Sequence, residues 1–128
     1  MPIKILLADD TDLMRHAIRK LIMEESRIEL VGEASNFGQA MQLIADFKPE
    51  VLLLDLHLAE KHEFAPALVK SQLASVENVL AVSFSNDAEA RALAESYGAK
   101  LLLDKMKLFS QLIPAILNCS ALKRRAGA

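Results

Sequence analysis

One cysteine, Cys119, leaves no internal disulfide to brace this chain, and that sparing use fits a reducing compartment. Charge of one sign is also lacking. There are 15 Lys and Arg against 17 Asp and Glu, a net charge of −2, so there is no general attraction to nucleic acid or anionic lipid. No apolar run approaches the ~20 residues that cross a bilayer. A strand-like run already begins at Ile3, without the h-region and cleavage site of a signal peptide. The expected location is therefore cytoplasmic, away from membranes. Repeats and low-complexity segments are absent. What remains is 52% hydrophobic and 25% charged, the balance of a globular chain, and 128 residues suffice for one domain with a sizeable core. Basic residues cluster only at Lys123-Arg124-Arg125, whose bland reading is a solvated tail. The expectation is one domain over 1–119, a basic C-terminal tail or start of a linker over 120–128, and no output domain.

Strand-like and helix-like stretches alternate. The apolar runs at Ile3–Ala8, Val51–Leu54, Val79–Val82 and Leu101–Leu103 are continuous, as in strands covered on both faces, and Glu29–Ala34 is a more polar strand suited to an edge. Leu13, Ala17 and Leu21 recur at helical spacing, with Thr11 or Asp12 as the cap. Phe37, Ala40, Met41 and Ile44 form a second stripe. After Asp55 we expect a loop, then a helix near Phe64 to Ala74 with Pro66 in its first turn. Asn86 with Glu89 predicts a capping box ahead of a helix over Ala90 to Tyr97, stopped by Gly98. A last helix near Phe109 to Cys119 contains Pro114, which costs a hydrogen bond and predicts a kink. This is a (βα)₅ pattern, and right-handed crossovers make it a flavodoxin-like α/β fold with a five-stranded parallel sheet of order 2-1-3-4-5 and helices on both faces.

The polar points stand where these runs end: Asp9-Asp10, Asp55, Ser83 and Lys105. In a parallel sheet they share one rim, beyond the carboxyl ends of the strands, where ligands bind. Carboxylates that converge repel one another, and a hard divalent cation relieves this; oxygen ligands at an open loop suit Mg²⁺. The expected metal ligands are Asp10, Asp55 and the backbone carbonyl of His57, with Asp9 holding the metal's waters. Asp55 is then either a ligand alone or also a nucleophile that forms an acyl phosphate. Lys105 and Ser83 would supply the remaining partners of the transferring group. Each residue alone has a blander reading. Asp9-Asp10 can be a capped turn, Ser83 a strand-end hydroxyl bonded to backbone, and Lys105 a surface lysine; as a site residue Lys105 is expected at a wet rim, so that its loss leaves the core intact. Only the ensemble is specific.

These motifs resemble the bacterial response-regulator receiver domain of two-component signalling over residues 3 to about 119. The matching pieces are Ile5-Leu6-Leu7-Ala8-Asp9-Asp10, Val51-Leu52-Leu53-Leu54-Asp55, the strand ending in Ser83, and Leu103-Asp104-Lys105, with 28 residues from Asp55 to Ser83 and 22 from Ser83 to Lys105. Ile28-Glu29-Leu30-Val31-Gly32-Glu33-Ala34 is similar to receivers of the NarL/FixJ type, which usually precede a helix-turn-helix domain. The resemblance implies that Asp55 accepts phosphate from a sensor histidine kinase or phosphotransfer protein, with Asp9 and Asp10 as the acidic pair, Ser83 as the switch hydroxyl and Lys105 as the family's lysine. It also implies a signalling phosphoprotein rather than a turnover enzyme, with no direct nucleic-acid binding by this domain.

Several positions depart from the pattern. Ala59 and Glu63 replace a proline and a glycine after the phosphorylated Asp, Phe84 replaces a small residue, Leu102 an aromatic, and Met106 a proline. A ring at Phe84 narrows the approach to Asp55. Leu102 predicts an altered readout: a homodimer or partner contact through the fourth helix of the repeat, the fifth strand and the fifth helix. Two other classes compete. An Asp-nucleophile phosphohydrolase of the haloacid dehalogenase type favours Asp-x-Asp, which Asp55-Leu56-His57 breaks. A pseudo-receiver, independent of phosphorylation, would not need so many site residues. His57 also admits a transition-metal site with Asp9, Asp10 and Asp55, while His16 and His62 read as surface and loop residues.

Overall fold

The computed structural model describes residues 2–60 and 65–127. The strands are β1 (Ile3–Ala8), β2 (Ile28–Ala34), β3 (Val51–Asp55), β4 (Asn78–Ser83) and β5 (Leu101–Asp104). The helices are α1 (Asp12–Met23), α2 (Phe37–Phe47), α3 (Leu56–Glu60), α4 (Pro66–Gln72), α5 (Ala88–Ser96) and α6 (Leu108–Gly127), with a 3-10 turn at Lys105–Lys107. All strand pairs are parallel and the sheet order is β2-β1-β3-β4-β5, as the alternating pattern predicts. Strands β1, β3 and β4 occupy the centre, and the more polar β2 and the short β5 the edges.

Strand geometry splits each apolar run between two cores, because successive side chains point to opposite faces. Leu6, Ala8, Leu52 and Leu54 pack with Phe37 and Ala40 of α2, Val69 of α4 and Ala94 of α5. Ile5, Leu7, Val51 and Leu53 pack with Ile18 and Ile22 of α1 and with Leu108, Leu112 and Ile116 of α6. A Leu or Ile buried this way contributes about 1.5–3 kcal/mol. The β1–β2 register slips by one residue after Ile5↔Leu30, so that Leu6 faces Gly32 and Val31 is extra. Glycine suits that bulge: a Cβ there would come within 3.2 Å of Leu6 Cδ1.

Some local expectations change. The chain after Asp55 enters α3 directly rather than a loop, and Leu56 and Leu58 bury against the α2–α5 core. Pro66 does open α4. Asp87, not Asn86, caps α5: its carboxylate accepts the Ala90 N–H at 2.8 Å, while the Asn86 carbonyl accepts Arg91 Nε at 2.8 Å. That helix accordingly starts at Ala88. Thr11 holds the N-cap position of α1 without a side-chain capping bond. Gly98, at φ +84°, ends α5 in the left-handed region that only glycine enters cheaply. Helix α6 continues through Pro114 to Gly127. The expectations for His62, Glu63 and Phe64 lie outside the described residues.

The two-sided burial predicts a contrast in stability. Leu53→Ala should cost about 2–5 kcal/mol in urea unfolding. Leu101→Ala, at a 43% exposed edge position, should cost under about 1 kcal/mol. Equal losses would refute the assignment of β3 to the centre.

Candidate functional site

At four places along the rim the chain turns in the same way. Asp9 Oδ1 accepts the Thr11 N–H at 2.9 Å, Asp55 Oδ1 the His57 N–H at 3.1 Å, Ser83 Oγ the Ser85 N–H at 3.1 Å, and Asp104 Oδ1 the Met106 N–H at 2.8 Å. A short polar side chain at a strand end satisfies an amide that has left the ladder, and it bends the chain into the next element. This local chemistry explains why Asp and Ser end the apolar runs. The 2-1-3-4-5 order then brings three of those ends together, with Lys105 arriving from the turn after β5.

Lys105 Nζ lies 3.2 Å from Asp9 Oδ2 and 3.2 Å from Asp55 Oδ1. All three residues are buried. Carboxylate oxygens of Asp9, Asp10 and Asp55 lie within 4.8 Å of one another. Asp55 Oδ2 is the one buried side-chain oxygen or nitrogen without a hydrogen-bond partner among the described residues. Asp55 opens on a cleft of about 390 Å³, lined also by Asp10, His57, Ser83, Phe84 and Lys105. His57 is exposed, and its ring is not part of the acidic group. The donor set is therefore all oxygen. An orphaned carboxylate oxygen beside two further carboxylates fits a hard divalent cation such as Mg²⁺.

One expectation about an individual side chain is corrected. Lys105 is not a wet surface lysine, since two carboxylates hold it and the Phe84 ring centroid stands 5.0 Å from its ammonium. Phe84 itself is 69% exposed, so its ring lies over the lysine rather than in the core. A partner of the rim that sequence reasoning missed is Arg15, whose Nη1 donates to the Asp9 backbone carbonyl at 2.6 Å. Its only sequence signal is a position in the second turn of α1, six residues after Asp9. The Lys105–Met106 peptide is trans, and Leu102 is half-buried against the α5 side of the core.

Burial, first, and the neighbouring Asp9 carboxylate, second, push the Asp55 carboxyl above the ordinary carboxylate range, while the Lys105 ammonium and the His57 N–H pull it back. A folded-state pKa that is raised means the folded state holds its proton longer. Stability from this group then falls as pH rises from the ordinary carboxylate range through the raised value. Ionisation of Asp55 is thus disfavoured by burial and by the Asp9 carboxylate.

Doubly wound sheet and acidic rim together define the class of α/β domains that hold ligands at a topological switch point. The sequence model of the response regulator receiver domain matches residues 5–117, and the chain belongs to that family. Among similar proteins, response regulator protein VraR of Staphylococcus saprophyticus is 31% identical over 104 residues, 80% of this chain and 50% of that protein. Protein-glutamate methylesterase/protein-glutamine glutaminase 3 of Myxococcus xanthus is 30% identical over 125 residues, 96% of this chain and 33% of that protein. The chain thus spans half or less of the length of these relatives. The signal receiver domain of NarL from Mycobacterium tuberculosis superposes with a TM-score of 0.81 at 24% identity, covering 94% of this chain and 97% of that one. No described helix is long and apolar enough to cross a membrane.

Opposite substitutions at the salt-bridged trio should move stability in opposite directions. In EDTA at neutral pH, Asp55→Asn should melt above the parent, with the gap closing in acid as the parent's Asp55 takes up its proton. Lys105→Ala should lose roughly 3–5 kcal/mol, because it leaves two buried carboxylates unpaired. Parent-like melting of both variants at neutral pH would show that the trio carries no such penalty.

Proposed function

We propose that this domain is the phosphoacceptor of a two-component system, with Asp55 as the residue modified. The observation that carries the reading is the unpartnered Oδ2 of buried Asp55 beside the carboxylates of Asp9 and Asp10. That oxygen attacks the phosphorus of a phosphohistidine on a sensor kinase or phosphotransfer protein. A phosphorus–oxygen bond forms, the phosphorus–nitrogen bond breaks, and the electron pair returns to the imidazole, which takes a proton. Asp10, Asp55 and the His57 carbonyl would hold Mg²⁺, and Asp9 its waters; bound there, the cation neutralises charge on the transferring group. Lys105 supplies a second cationic partner. Ser83 Oγ already accepts the Ser85 N–H, which leaves its hydroxyl proton to donate to a phosphoryl oxygen.

Phosphorylation then biases a protein-interaction surface, and the domain acts as a switch rather than a turnover enzyme. The VraR likeness and the Ile28–Ala34 strand favour a NarL/FixJ-type receiver. The receiver domain is read as residues 1–119, and 120–128 as a basic C-terminal tail or the start of a linker.

With Mg²⁺ and a small acyl-phosphate donor, intact-mass analysis should find one added phosphoryl group. It should be absent without Mg²⁺ and absent in Asp55→Asn. Unchanged labelling of that variant would reject the site.

Readout is proposed through α5, β5 and α6. A cleft of about 560 Å³ between α5 and β5 presents Arg91, Glu95 and Lys100 beside Leu101 and Leu102, a mix that suits a homodimer or protein partner. Sedimentation of the phosphorylated protein should show a dimer that Leu101→Glu weakens. Monomers in every sample would remove the homodimer.

A further inference from the structure

Asp9 has four polar atoms and each has a partner. Its N–H donates to the Ala34 carbonyl at 3.0 Å, Oδ1 accepts from Thr11 at 2.9 Å, and Oδ2 faces Lys105 Nζ at 3.2 Å. The fourth atom is the main-chain carbonyl, and a side chain holds it: Arg15 Nη1 donates at 2.6 Å. A charge-assisted bond of that length is among the stronger ones. Arg15 is held in turn. It is only 15% exposed, its Nη2 pairs with Asp12, and its Nε lies 3.7 Å from Glu33 Oε1. Glu33, on β2, is gripped by Arg19 through two bonds of 2.6 and 2.9 Å.

The oxygen that Arg15 holds belongs to the peptide between Asp9 and Asp10. That unit is planar, so fixing its oxygen also fixes the Asp10 N–H and the direction in which Asp10 leaves the turn. We infer that Arg15 is a positioning residue for the cation site: it locks the Asp9–Asp10 peptide so that the Asp10 carboxylate meets those of Asp9 and Asp55. The inference rests on reading that trio as the Mg²⁺ site. A guanidinium beside a cation site would ordinarily oppose binding. Here Arg15 and Arg19 are matched by Asp12 and Glu33, so the cluster sets geometry without adding net positive charge.

The charge of Arg15 makes the test decisive, because geometry and electrostatics predict opposite signs. Arg15→Met keeps bulk but removes both donor and charge. If Arg15 orients the turn, Mg²⁺ affinity by calorimetric titration should fall by roughly tenfold, the low end of the loss typical for groups that orient metal ligands. If it is only a strut between α1 and β2, removing a positive charge should leave affinity equal or tighter, while melting in EDTA drops. Arg15→Lys keeps the charge and a single donor, and it should bind Mg²⁺ severalfold more weakly than the parent yet better than the Met variant. Should the Met variant fail to fold, the Lys variant decides by the same criterion. A parent that binds Mg²⁺ alongside variants that bind as well or better overturns this inference alone. A parent that takes up no Mg²⁺ overturns the metal reading of the trio, and this inference with it.

Discussion

Two carboxylates and one ammonium share a buried rim. Asp9 and Asp55 each lie 3.2 Å from Lys105 Nζ, with Asp10 beside them. Burial disfavours the charged form of Asp55 first, the Asp9 carboxylate adds to this, and the shared ammonium offsets it only in part. Asp55 responds with a raised pKa and an oxygen that bonds to nothing. A folded protein keeps such an arrangement only where the surrounding structure holds it in place. The two cores on either side of the sheet do that: Leu52, Leu53 and Leu54 fix the strand that ends in Asp55, and Leu103 the one that leads to Lys105.

The same scaffold explains why the acidic residues converge without a long loop. Parallel strands run in one direction, so their carboxyl ends lie on one edge, and the 2-1-3-4-5 order opens a crevice between β1 and β3. Side chain-to-amide turns at the strand ends let Asp9 and Asp55 serve the backbone with Oδ1 and keep Oδ2 for the site, while Ser83 Oγ accepts an amide and keeps its proton to donate. Local folding chemistry and site chemistry therefore draw on the same residues.

Around this core of shared features the surface differs from the family pattern. Phe84 places a ring over Lys105, in a position where the family pattern has a small residue. Leu102 is packed against the α5 side of the core and carries no ring to swing between an inner and an outer state. For the readout proposed through α5, β5 and α6, Leu102 therefore offers no aromatic rotor.

Much of this was legible in the chain alone. Continuous apolar runs each ending in Asp, Ser or an Asp-Lys pair specify buried parallel strands with a polar rim, because strand periodicity and turn chemistry are local properties. Strand order followed from polarity, with the more charged β2 and β5, flanked by Lys100 and Asp104, at the edges. The α5 cap and the helix after Asp55 were missed because neighbouring candidates, Asn86 and Asp87, have similar capping chemistry, and because Leu56 and Leu58 are drawn into a helix by a core that lies on distant segments. Only the tertiary structure decided that Lys105 is buried, that Phe84 covers it, and that Arg15 reaches back to the Asp9 carbonyl. Each depends on distances between elements far apart in the chain, and burial is a property of what packs around a residue, which its own position in the sequence does not contain.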